Sequence, residues 1–140
     1  MTIKTFVIIE QGGRFLLIRE AAKKWRGKWF LPGGKADLNE NPIEAAKREV
    51  KEEAGCDVVI QGIVYIRYRE KLFSKHLSLF YSAKITGGGI KTTADRHSLE
   101  VKWFSYDEIK SLPVRQKLLE LLIHSQPEKA MPAENFKLYV

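Results

Sequence analysis

Two apolar runs open the chain, Thr5-Phe6-Val7-Ile8-Ile9 and Arg14-Phe15-Leu16-Leu17-Ile18, either side of Gln11-Gly12-Gly13. Their aromatic and β-branched content, cut by a Gly-Gly step, predicts two strands joined by a tight turn. Residues 21–28 are polar and basic and predict a loop. Trp29-Phe30-Leu31 is a short apolar piece stopped by Pro32-Gly33-Gly34. From residue 42 the period changes. Ile43, Ala46, Val50 and Ala54 recur at helical spacing, Asn41 stands where an N-cap belongs, Pro42 suits the first turn and Glu44 completes a capping box. Gly55 supplies the C-cap. Residues 58–68 and 76–85 read as strands, Gly87-Gly88-Gly89 as a loop, and 100–104 as a further strand. Residues 106–108 start a helical turn, and 113–124 read as an amphipathic helix. From Ser125 the composition shifts to Pro, Glu, Lys and Ala, which predicts an extended tail. The pattern is an α/β (α+β) domain, a mixed sheet with helices packed on it, over residues 1–124, with 125–140 as a C-terminal tail.

Composition narrows the class. The 140 residues are 44% hydrophobic and 29% charged, near the soluble globular average. This excludes a disordered chain, a collagen-like fibre and a disulfide miniprotein. No apolar run approaches the roughly 18 residues that span a bilayer, and the first residues lack the order of a signal peptide. Cys56, the single cysteine, can form neither an internal disulfide nor a multi-cysteine zinc site. A cytoplasmic location without a membrane partner is expected.

The net charge of +7 is unevenly placed. Arg14, Arg19, Lys23, Lys24, Arg26, Lys28 and Lys35 stand against one acid, Glu20; then Glu40, Glu44, Glu49, Glu52 and Glu53 outnumber Lys47, Arg48 and Lys51. At about 100° per residue, Glu49, Glu52 and Glu53 share one arc of the helix, apart from the apolar stripe. Like charges on neighbouring turns repel, and a hard divalent cation relieves the repulsion. A solvated acidic face is the plain alternative. Gly33-Gly34, just before the helix, lets backbone approach a metal or phosphate closely.

Residues 34–56 resemble the Nudix box, G-x5-E-x7-R-E-U-x-E-E-x-G-U, through Gly34, Glu40, Arg48, Glu49, Val50, Glu52, Glu53, Gly55 and Cys56. Cys56 stands for the last aliphatic position, and Asn39 for a glycine common before the first glutamate. The resemblance extends over residues 6–122 and implies an α/β/α sandwich around a mixed sheet. It also implies Mg²⁺- or Mn²⁺-dependent hydrolysis of a nucleoside diphosphate linked to another moiety. By the same resemblance Glu49 and Glu53 are metal ligands, Glu52 a third ligand or general base, and the Gly33 or Gly34 carbonyl a further ligand. Arg48 orients the glutamates, and Glu40 steadies the loop or binds a second cation. Asp95, His97 and Glu100 are further candidates for the base.

Specificity lies outside the box. Arg67 and Arg69 suit a phosphate or ribose, and Arg19 is a further substrate-binding candidate. Trp29, with Trp25, Tyr65, Tyr68, Phe73, Phe80 and Tyr81, offers stacking surface for a base, although most aromatics at strand spacing are core. Segments 20–29 and 86–92 are similar to the branch acting on 8-oxo-guanine nucleoside diphosphates; ADP-ribose and nucleotide sugars are the nearest alternatives. A non-catalytic Nudix-fold regulator would show an eroded box, which this chain does not. A nucleic-acid-binding domain would use the basic loop without a divalent ion. The expected partner is a small nucleotide, not nucleic acid, and family likeness implies a homodimer.

Overall fold

The computed structural model describes residues 1–125 and 131–132. In chain order the strands are β1 (Thr2–Ile8), β2 (Glu10–Gln11), β3 (Arg14–Glu20), β4 (Trp29–Phe30), β5 (Gly33–Lys35), β6 (Cys56–Lys71), β7 (Ser74–Gly88), β8 (Ser98–Ser105) and β9 (Met131–Pro132). The helices are α1 (Pro42–Ala54), α2 (Tyr106–Ile109) and α3 (Leu118–His124), with a single 3-10 turn at Lys23–Trp25.

The strands divide between two sheets. A mixed sheet runs β5-β1-β7-β6-β9, with β1 parallel to β7 and the other pairs antiparallel. A second, antiparallel sheet runs β2-β3-β4, with β8 also on β3. The Gly12-Gly13 turn forms, both glycines at positive φ, but it joins β3 to the short β2 instead of to β1. Val7, Ile9, Leu79, Tyr81 and Ile63 pack with Ala46, Val50 and Ala54 of α1, while Phe6, Ile8, Phe80 and Tyr65 pack toward α2 and α3. Alternate residues of β1 therefore serve opposite layers. Helices cover both faces of the strand layer, and the strands within that layer belong to two sheets.

Helix α1 forms as its sequence directs. Asn41 Oδ1 accepts the Glu44 N–H at 2.9 Å, and Gly55 closes the helix at φ 87. Burying a side chain such as Val50, 0% exposed, contributes about 1.5–3 kcal/mol. The expected helix over 113–124 is shortened to Leu118–His124. The cause is β4: the Trp29 N–H donates to the Pro113 carbonyl at 2.8 Å, and the Arg115 N–H donates to the Trp29 carbonyl at 3.1 Å. These bonds draw residues 113–115 into an extended strap. Of the tail, Met131–Pro132 pair with Gly62 and Ile63; the remainder lies outside the described residues. Among the described residues no helix is long and apolar enough to cross a membrane.

Candidate functional site

The acidic stripe of α1 lies against β5. Glu53 Oε1 accepts the Gly33 N–H at 2.6 Å. At Gly34 a Cβ would lie 2.7 Å from Glu49 Oε1, and at Gly33 it would run into the Thr5 carbonyl. Only glycines let β1, β5 and α1 approach this closely.

Arg48 organises the carboxylates beside Glu53. Its Nη2 donates to Glu40 at 2.6 Å and to the Lys35 carbonyl at 3.1 Å, and its Nη1 donates to Glu49 and Glu52, both at 3.1 Å. Glu40 raises the Arg48 pKa further, and the Arg48 hydrogen bond in turn lowers that of Glu40. Among the described residues Glu53 has no such cation. It is 6% exposed; burial pushes its carboxyl well above the usual range, the Gly33 N–H opposes this, and Glu49, Glu20 and Glu52 add repulsion. Burial also raises Glu49, against the pull of Arg48.

The segment after β7 is pinned to the end of α1. Lys91 Nζ donates to the Glu52 carbonyl and to both Asp95 carboxylate oxygens, each at 2.8 Å. Asp95 accepts the N–H groups of His97 and Ser98, and the Ser98 hydroxyl donates to the Glu53 carbonyl at 2.6 Å. The Lys91 hydrogen bond and these amides hold Asp95 down at about 2. His97 Nδ1 lies 3.7 Å from Glu52 Oε2.

A cleft of about 310 Å³ opens here, lined by Gly33, Gly34 and Glu53 together with Lys4, Trp25, Arg96, His97 and Arg115. Arg115 Nη1 donates to Glu20 at 3.0 Å, and its guanidinium lies 4.3 Å from the Phe30 ring and 4.8 Å from Trp25.

Of the residues expected to form the site, Arg48, Glu49, Glu52, Glu53 and Gly33 come together. Glu100 and Arg19 do not line the cleft: they pair with each other at 3.1 Å, and Lys102 takes the other Glu100 oxygen at 3.0 Å. Trp29 is a correction. It is 6% exposed, its ring set edge-on to Phe104 in the core, so it offers no face to a base. Arg67 and Arg69 line a separate cleft of about 230 Å³ with Tyr65, Tyr68 and α3. Asp95 braces its loop, leaving His97 as the base candidate that reaches the cleft. Lys4, Arg96 and Arg115 join the cleft in addition to the residues the sequence marks. One signal pointed to the last of these: Glu20, the lone acid of a basic stretch at the end of an apolar strand, needed a cation.

A family model described as the NUDIX domain matches residues 2–123. The chain belongs to the Nudix family. Among its relatives are "Putative nudix hydrolase 1" of Caenorhabditis elegans, 41% identical over 108 residues, and "8-oxo-dGDP phosphatase NUDT18" of Homo sapiens, 36% identical over 100. The alignments take in 71% and 70% of this chain but 27% and 30% of those proteins, so this Nudix chain spans less than a third of either. A Nudix hydrolase structure from Nitrosomonas europaea superimposes with a TM-score of 0.85, covering 99% of this chain and 97% of that one, at 22% identity. That likeness concerns the fold.

Proposed function

We propose that this Nudix protein is a Mg²⁺- or Mn²⁺-dependent pyrophosphohydrolase acting on a nucleoside diphosphate linked to another moiety, with oxidised-guanine nucleotides as the leading substrate. The observation that carries the reading is Glu53, a carboxylate buried beside Glu49 whose only donor among the described residues is an amide. Among the described residues no group of His, Cys, Asp or Glu side chains is gathered to metal-binding geometry, because Arg48 draws on Glu49 and Glu52 while Gly33 holds Glu53. The donor set nevertheless fits a hard cation: the oxygens are carboxylate, and four carboxylates (Glu40, Glu49, Glu52 and Glu53) are gathered around one guanidinium, Arg48.

Glu49, Glu53 and the Gly33 carbonyl would hold the ion. A bound divalent cation lowers the pKa of coordinated water and neutralises charge on phosphate oxygens. Arg48 fixes the direction of Glu49 and Glu52 through charge-assisted hydrogen bonds. Glu52, whose Oε2 lies 3.7 Å from His97 Nδ1, would be either the third ligand or the base that takes a proton from the attacking water. Lys4, Arg96 and Arg115 face the substrate's phosphates and offset their charge. The name of the Homo sapiens relative supports an oxidised-guanine substrate.

The test is release of phosphate or mononucleotide from 8-oxo-dGDP, 8-oxo-dGTP, ADP-ribose, a dinucleoside polyphosphate and a nucleotide sugar, each with Mg²⁺ and with chelator. Metal-dependent cleavage fastest on an oxidised-guanine nucleotide is expected. Cleavage that survives the chelator, or none across the panel, overturns the reading.

A further inference from the structure

The mixed-sheet face turned away from α1 is apolar only as far as the cross-strand row Phe6, Phe80 and Tyr65. Two residues along, the row is Lys35, Lys4, Ser78 and Arg67. The next holds Thr2, His76 and Arg69. Directly paired residues project from the same face, so these cations are gathered on one surface with no carboxylate in either row. Lys4 and Lys35 stand directly opposite each other, an arrangement that is unfavourable by itself. No ion pair among the described residues engages Lys4, Lys35, Arg67 or Arg69.

Burial, then Arg115, lowers the Lys4 pKa; burial, then Arg69, lowers that of Arg67. The same surface holds two buried polar atoms that have no hydrogen-bond partner among the described residues, Arg67 Nε and His76 Nδ1. A fold has no use for half-buried cations that repel one another beside unsatisfied polar atoms. An oxyanion satisfies both. Strand spacing of about 4.8 Å sets the Lys4 and Arg67 backbones roughly 10 Å apart across Ser78, a gap that two long side chains close on one phosphate. Lys4 also lines the carboxylate cleft, so the row meets that cleft at one residue.

We propose that the row Lys35, Lys4, Ser78 and Arg67 is a phosphate subsite that receives a substrate phosphate remote from the bond cut at α1. It favours nucleotides with three or more phosphates over neutral sugar conjugates. The inference rests on the hydrolase reading for what is cut at α1; anion binding by the row does not depend on it.

The test is calorimetric titration of the whole chain with inorganic tripolyphosphate in chelator, where no turnover occurs. Saturable binding is expected, weakened at least about tenfold by Arg67→Gln or by Lys35→Gln, the loss of one charge-assisted hydrogen bond. Lys35 is exposed, so its substitution keeps the test clear of misfolding. Lys84→Gln, an exposed cation at the other end of β7, should leave binding in place. Absence of saturable binding, or equal weakening by Lys84→Gln, overturns the proposal. If the hydrolase reading fails instead, cleavage is absent while binding persists.

Discussion

Glu20 and Arg115 form a buried ion pair beside the carboxylate cleft, with side chains 10% and 15% exposed and 3.0 Å between Oε1 and Nη1. Burial pushes the Glu20 carboxyl up, and Arg115 pulls it back. Arg115→Met keeps much of the apolar stem among Phe6, Trp25 and Phe30 and removes the cation. Glu20 is then a stranded anion that also feels Glu53. Breaking a buried pair this way costs about 3–5 kcal/mol against a usual total of about 5–15. We expect ~3 kcal/mol, because the cleft gives Glu20 some access to water, and a fall in Tm on the order of 10 °C. Adding Glu20→Gln removes the stranded charge and should restore most of the loss. The pH dependence has a definite sign. Without Arg115 the folded pKa of Glu20 rises further above its unfolded value, so the unfolded chain releases its proton first. The penalty therefore grows as pH rises between the unfolded and folded pKa values and shrinks on acidification. Urea unfolding of the wild type, both single variants and the double variant, near about pH 7 and about pH 5, gives the coupling directly. A loss below about 1 kcal/mol for Arg115→Met, or no rescue by Glu20→Gln, refutes the assignment.

Glu53→Gln should cut turnover by more than the roughly 10–100-fold typical of an outer-shell change. Metal-free stability should hold or rise, because a buried repulsive charge is gone; near wild-type turnover would refute the ligand role. Gly34→Ala should raise the Mg²⁺ concentration needed for half-maximal rate, because the new Cβ would sit 2.7 Å from Glu49 Oε1; an unchanged metal titration contradicts this. Cys56 is 1% exposed, and burial pushes its thiol up. It should resist alkylation until denaturant is added, and Cys56→Val should retain turnover. Burial holds the Tyr81 phenol up at about 12. The unfolded chain ionises first, near about 10, so stability should fall as pH rises through that window, read from the denaturant midpoint beside phenolate absorbance.

What the sequence makes legible follows from how local each signal is. Helix α1 carries its own instructions in Asn41, Pro42, Glu44, the apolar stripe and Gly55, and it forms over Pro42–Ala54. The acidic group was readable for the same reason: Arg48, Glu49, Glu52 and Glu53 lie within two turns. Strand β1 was readable as a strand, but its partners were not. It pairs with β5 and, in parallel, with β7, about seventy residues on, and the nearby Gly-Gly turn suggested a hairpin instead. Residues 113–117 show the opposite failure. Their local pattern is helical, and the edge of β4 overrides it through the Trp29 backbone. The cationic wall combines Lys4 of β1 with Arg115 of this strap, a pairing no local pattern encodes. Trp29 resembles any other surface tryptophan until its burial against Phe104 is seen.

The charge around the cleft is segregated. Glu53 is a buried acid and Glu49 a half-buried one, both raised in pKa, while Lys4 and Arg67 are half-buried cations lowered in pKa. Among the described residues these two sets do not pair with each other, although pairing would relieve both. A chain selected for folding alone would join them or replace them with apolar side chains, since isolated buried charge is expensive. A ligand with the opposite arrangement, a divalent cation bound to a polyphosphate, satisfies both sets at once. A module that only held an anionic nucleotide would need the cationic wall, and the repulsion between Glu49 and Glu53 would serve nothing. Glu53, the buried acid without an ion pair among the described residues, is thus the feature that argues for the proposed hydrolase over a binding module on the same fold.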